Sequence, residues 1–238
     1  MQITHLLETI RIKYNPENNS ITIFNSNLHH ERLLNSISEL NFKINEKDIL
    51  DNISENSIKF FNKLDEIETF SGSFKYDNQE KNIYKLRLIY SSEGEIKTEI
   101  SLYDRFLENN IIHFSLSRDF KVNSKDKKWK HKFFPREEIS LNKVTDNNQE
   151  IIWTNEKNEI CEGSFTNLFL RKKNIWITPH LESNLLNGTM RKILIKELKA
   201  SEEKCYIDDL NLADEIILCN SMLGIVRANY KPLKNQET

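Results

Sequence analysis

The residues Cys161-Glu162-Gly163-Ser164-Phe165-Thr166-Asn167, running through Thr178-Pro179 to Asn187-Gly188-Thr189-Met190-Arg191, decide how this chain is read. Glu162 stands inside Ile160–Leu170, a stretch otherwise made of apolar and small polar residues. A carboxylate on the buried face of such a strand needs a partner, or its pKa rises. Simple alternation would equally turn it to solvent. Gly188 opens a helix expected over Thr189–Lys199, with Ile193, Leu194 and Leu198 apolar. The first-turn N–H groups of a helix lack intrahelical partners and carry the positive end of its dipole. Gly188, Thr189 and Met190 are therefore candidates to cradle an anion, with the Thr189 hydroxyl as an added donor. A helix start without ligand has the same pattern.

Working outward, Lys132 lies 30 residues upstream of Glu162 and ends a basic run of Lys125, Lys127, Lys128, Lys130 and His131. Phe133-Phe134-Pro135 follow it. A lysine entering an apolar site has its pKa lowered, as a Schiff-base lysine needs; a solvated linker is the plainer reading of the run. An acid, a lysine and a helix N-terminus are what a pyridoxal phosphate pocket has to supply. Glycine is scarce, five in all, and Gly163, Gly188 and Gly224 lie in or beside apolar segments. They are candidates for close approach of backbone to ligand, or for a bulge or helix start.

The 238 residues suit one large domain or two small ones. A net charge of −2 and the lack of a second basic cluster argue against nucleic acid and anionic membrane. No apolar run is long enough to span a bilayer, and no signal peptide is visible. Cys161, Cys205 and Cys219 form no CxxC pair and sit in apolar contexts, as expected of a reduced cytoplasmic protein. The six histidines show no metal spacing, and no metal is assigned. His29, His30 and Arg32 read as a solvated helix face.

Alternation predicts strands over Ile3–Ile12 and Ser20–Phe24, then a helix over His29–Leu40 capped by Asn27 and a second near Asp48–Leu64. Strands follow at Asn82–Tyr90, Glu95–Leu102 and Ile111–Leu116. Ser117–Lys130 reads as a linker and Pro135–Val144 as a short helix. Further strands are expected at Glu150–Thr154, Glu159–Leu170, Asn174–Thr178, Glu215–Cys219 and Ile225–Ala228. Without regular βαβ alternation the class is α+β in two unequal parts, an N-terminal domain 1–117, a linker 118–130 and a C-terminal cofactor-binding domain 131–238.

These segments together resemble the class IV pyridoxal phosphate enzymes, which include branched-chain and D-amino-acid aminotransferases and aminodeoxychorismate lyase. The resemblance rests on Glu8-Thr9-Ile10-Arg11, His30-Glu31-Arg32-Leu33 with Ser36, His131-Lys132 with Arg136, and Glu162-Gly163-Ser164 with Asn167. It continues through Thr178-Pro179, Leu186–Arg191, Ala213-Asp214-Glu215 and Asn220-Ser221. It implies the two-domain D-amino-acid aminotransferase-like fold, with the cofactor between the domains and usually a homodimer. By position, Lys132 would bind the cofactor covalently and move the substrate proton. Glu162 would pair with the ring nitrogen. Arg32, the Thr189 and Met190 backbone beside Gly188, and Ser221 would hold the phosphate.

Within the family, Asn187-Gly188 with Met190-Arg191, the Glu8-Thr9 start and His131-Lys132 are most similar to the lyases, including those fused to or partnered with aminodeoxychorismate synthase. That implies release of 4-aminobenzoate and pyruvate for folate synthesis, with Thr9 as candidate proton donor. A class IV aminotransferase and an inactive cofactor-binding relative remain as alternatives. The family's further hairpin ahead of the Glu-Thr motif is not matched by the seven residues before Glu8, so part of the substrate wall is expected to differ. No tyrosine follows Lys132, unlike the branched-chain aminotransferases. Arg11 and Arg191 are the arginines nearest the motifs for substrate carboxylates.

Overall fold

The computed structural model describes residues 3–43, 46–61, 64–136 and 148–232. Strand β1 (His5–Asn15) turns at Pro16–Asn19 and pairs antiparallel with β2 (Ser20–Phe24). Helices α1 (Ser26–Leu40) and α2 (Glu46–Phe60) follow, and β3 (Glu66–Phe70) returns parallel to β2. Strands β4 (Ile83–Ser91) and β5 (Ile96–Leu102) complete the order β3-β2-β1-β4-β5. Leu33 and Ile37 of α1 pack with Leu6, Ile10 and Leu86 in the core under this sheet. Each such side chain contributes about 1.5–3 kcal/mol by leaving water.

Strand β6 (Ile111–Val122) opens the second sheet. The chain then returns for two residues, β7 (Phe133–Phe134), which pair with His5 and Leu6 of β1. The second sheet is completed by β8 (Gln149–Asn155), β9 (Ile160–Gly163), β10 (Asn167–Lys172), β11 (Ile175–Pro179), β12 (Ser201–Glu203), β13 (Glu215–Asn220) and β14 (Gly224–Tyr230). Their order is β12-β11-β10-β13-β14-β6-β8-β9. Helix α3 (Thr189–Glu197) lays Met190 and Leu194 on Phe169, Ile217 and Cys219, and a short α4 (Ile207–Asn211) precedes β13. The class is α+β.

The chain forms two compact units. The first comprises Met1–Gly72, Gln79–Asp104 and His131–Pro135; the second comprises Ser73–Asn78, Arg105–Lys130 and Arg136–Thr238. This division differs from the boundaries 1–117, 118–130 and 131–238. β6 runs on through residues 118–122, so the basic stretch begins as sheet, and Trp129 within it is buried. The short helix expected at Pro135–Val144 falls largely outside the described residues.

Other differences have local causes. Glu159–Leu170 is two strands, because the chain turns at Ser164–Thr166. Asn25, not Asn27, caps α1, at φ 53°, and its amide exchanges hydrogen bonds with the Gly72 backbone. β3 and β12, which carry little apolar alternation, escape a sequence reading. Among the described residues no helix is long and apolar enough to cross a membrane.

Candidate active site

In the first unit the sequence-predicted residues gather around β1 and α1. α1 presents His29, Arg32 and Ser36 inward, so the reading of His29 and Arg32 as a solvated face is corrected. Arg32 is one turn beyond His29 on the same side of the helix. Glu8, on the core face of β1, meets both: it accepts from Arg32 Nε at 2.8 Å and from Arg32 Nη2, and lies 2.6 Å from His29 Nδ1. Burial raises the Glu8 pKa, but the Arg32 charge and the hydrogen bonds from His29 and Arg32 outweigh it and hold the carboxyl at about 2. Burial pushes His29 down against the pull of Glu8, and the Lys132 charge is among those that lower it. Arg32 Nη1 has no hydrogen-bond partner among the described residues, so it is available to an anion.

Lys132 is delivered beside β1, where its carbonyl accepts from Leu7 N at 2.7 Å. Continuing the β1–β7 register places its backbone opposite Leu7. The neighbouring His131 is buried, with Nδ1 3.0 Å from Ser36 Oγ. Arg11 is buried and paired with Glu80.

In the second unit every residue of β9 is buried, which resolves the alternation question for Glu162. A strand covered on both faces has no solvent side for an acid to occupy. Glu162 Oε2 accepts from Asn167 Nδ2 at 3.4 Å, and Oε1 lies 3.8 Å from Arg136 Nη1. The same Asn167 amide donates to Leu186 O at 3.0 Å, just ahead of Gly188. A Cβ at Gly188 would stand 2.1 Å from Asn167 Oδ1. The glycine thus makes room for Asn167, where a sequence reading looks to a ligand. Gly188 caps α3 without a side-chain hydrogen bond, and Thr189 and Met190 behind it are buried. Their N–H groups belong to an uncapped first turn.

Ser221 follows β13 in a turn held by Asn220, whose Oδ1 accepts from Met222 N and Leu223 N at 2.8 and 2.7 Å. Arg191 is fully buried, donating to Asn187 Oδ1 at 3.1 Å and to Pro179 O and Glu202 Oε2 at 2.8 Å. Both arginines considered for substrate carboxylates are therefore engaged within the fold. The three thiols are free and buried, and burial drives Cys205 and Cys219 up to about 12.

A sequence reading passes over Glu150, a buried carboxylate on β8 that binds the turn after Glu162. The signal was present: an acid entering the apolar run Ile151-Ile152-Trp153, the same anomaly as Glu162.

Residues 116–229 match the family model of amino-transferase class IV. A probable branched-chain-amino-acid aminotransferase of Thermotoga maritima is 35% identical over 82 residues, 32% of this chain and 30% of that protein. The aminodeoxychorismate lyase of Saccharomyces cerevisiae is 30% identical over 87 residues, 34% of this chain and 23% of that protein. Each match thus spans less than a third of the relative's own length. The crystal structure of a putative amino-acid aminotransferase from Mesorhizobium loti superposes with a TM-score of 0.76 at 23% identity, covering 95% of this chain and 99% of that one. The chain carries the class IV aminotransferase pattern over residues 116–229 and takes the fold of that family.

Proposed function

We propose that this chain is a pyridoxal phosphate-dependent 4-amino-4-deoxychorismate lyase, releasing 4-aminobenzoate and pyruvate. The observation that carries the cofactor reading is the Asn167 amide, which ties the buried Glu162 carboxylate to the segment leading into the uncapped start of α3. A buried acid and a set of free helix N–H donors, joined by one side chain, fit an aromatic nitrogen base that also bears a phosphate.

When bound, the cofactor supplies the electron sink for breaking the bond to hydrogen at the amine-bearing carbon. Lys132 would hold the cofactor covalently, and its amine would take that proton. Glu162, with Arg136 Nη1 3.8 Å from its Oε1, would hold the proton on the ring nitrogen. Arg32, the Thr189 and Met190 N–H groups and Ser221 would bind the phosphate. The Thr9 hydroxyl would pass a proton to the departing enolpyruvyl group. The lyase is favoured over a transferase by the motif around Lys132 and by the lyase relative. A homodimer belongs to the same proposal.

The higher identity of the Thermotoga maritima relative favours a second reading, an amino-acid aminotransferase. The test is release of 4-aminobenzoate and pyruvate from enzymatically generated aminodeoxychorismate, with Lys132→Ala alongside. Release that needs Lys132 and no keto acid supports the lyase. Amine transfer that consumes a keto acid supports the transferase. Cofactor binding without either reaction marks an inactive relative.

A further inference from the structure

Glu150 lies in β8, is 1% exposed, and among the described residues pairs with no Lys, Arg or His. A buried carboxylate without a counter-charge is costly unless donors surround it. Here five do. Oε1 accepts from Ile151 N at 2.8 Å, Ser164 N at 3.0 Å and Ser164 Oγ at 2.5 Å; Oε2 accepts from Thr166 Oγ1 at 2.8 Å and Phe165 N at 3.4 Å. Four of these come from one turn, Ser164–Thr166, between β9 and β10.

The turn has Glu162 on one side and Asn167 on the other, and these two meet across it. Gly163 N donates to Thr166 O at 2.8 Å to close it. Gly163 has no room for a side chain: a Cβ would stand 2.5 Å from Thr166 Oγ1 and 2.7 Å from Glu150 Oε2. The glycine beside Glu162 is thus explained by the clamp. A neutral residue would satisfy two or three of these donors; only a carboxylate accepts all of them at once. The Glu162–Asn167 contact, at 3.4 Å, is already at the long end of a hydrogen bond, so a small drift of the turn breaks it.

We propose that Glu150 is a positioning residue, which by clamping the Ser164–Thr166 turn aims the Glu162 carboxylate at the ring nitrogen of the bound cofactor. This rests on the pyridoxal phosphate reading above. Glu150 touches neither cofactor nor substrate and acts through Glu162 alone.

The test is a double-mutant cycle read as the dissociation constant of pyridoxal phosphate, by absorbance titration of the cofactor-free protein. Glu150→Gln keeps the shape but turns one acceptor into a donor facing Thr166 and Phe165. It should weaken binding about tenfold and change the pH dependence of the cofactor's visible band. In the Glu162→Gln background the same change should alter binding less than about twofold, because the group it positions is gone. Equal losses in both backgrounds would mean a purely structural role and would overturn the assignment, as would no loss in either. If Glu150→Gln does not fold, Thr166→Val and Thr166→Ser replace it. The valine should weaken binding and the serine, which keeps the hydroxyl, should not; equal affinities would again overturn it. Failure of the unsubstituted protein to bind pyridoxal phosphate would sink the cofactor reading itself, and this result appears before any variant is made.

Discussion

Arg32 reaches Glu8 side-on, donating from Nε and Nη2 to the two carboxylate oxygens and leaving Nη1 outside the pair. The guanidinium plane is therefore fixed before any ligand arrives. A fork already oriented by one carboxylate loses little further freedom on meeting a phosphate. His29, also on Glu8, closes the group from the helix side.

This group makes the protein sensitive to acid. Burial holds His29 below its ordinary 6.5, so the unfolded chain binds that proton more readily, and stability falls as pH drops through 6.5. Glu8 is held at about 2 against an ordinary 4.5, so its contribution is complete above 4.5 and is lost as pH falls toward 2. Urea unfolding midpoints should decline from pH 7 to pH 3. Glu8→Gln should cost about 3–5 kcal/mol at pH 7, because Arg32 is left buried without its counter-charge. The gap to the unsubstituted protein should narrow toward pH 3. A gap constant with pH would show that Glu8 is not ionised in the fold.

Gly188→Ala drives a methyl against Asn167 Oδ1 and should destabilise by about 1–3 kcal/mol. Asn167→Ala should also destabilise, through loss of its bond to Leu186 O. The double variant removes both the clash and its cause, so its thermal midpoint should lie well above the additive value. Strict additivity would place the collision elsewhere.

Arg191→Met should lower stability by about 3–5 kcal/mol, since Glu202 and the Pro179 carbonyl lose their donor. The KM of the folded fraction should change by less than about twofold, because the side chain is internal. A stable Arg191→Met with a KM raised about tenfold or more would return this arginine to the substrate.

The strands β1, β2, β4 and β5 were legible because their apolar residues recur at alternate positions and feed the core of the first unit. β3 was not, since every residue in it is exposed and its place comes from pairing with β2 alone. Glu162 stood out as an acid among apolar residues, yet whether it was buried depended on the second covered face of β9, a tertiary fact. The Arg32 side chain was misjudged by helix-face reasoning because its counter-charge, Glu8, is 24 residues away on another element. The glycines were flagged correctly as places where a side chain does not fit. Within the fold the neighbours that exclude a side chain are Asn167 at Gly188, Glu150 and Thr166 at Gly163, and the Phe74 carbonyl at Gly224.

The five residues His131–Pro135 belong to the first unit, yet in the chain they lie inside the second, while Ser73–Asn78 of the second interrupt the first. Neither unit is a contiguous gene segment, so no single cut liberates either as an excisable fragment. A ribosome emits β1 long before Phe133 and Phe134, the residues that will lie beside it. The nascent first sheet waits for its last strand until β6 of the second unit has been made, and Lys132 enters with that strand. Truncations ending before residue 132 should therefore expose the His5–Leu7 edge of β1.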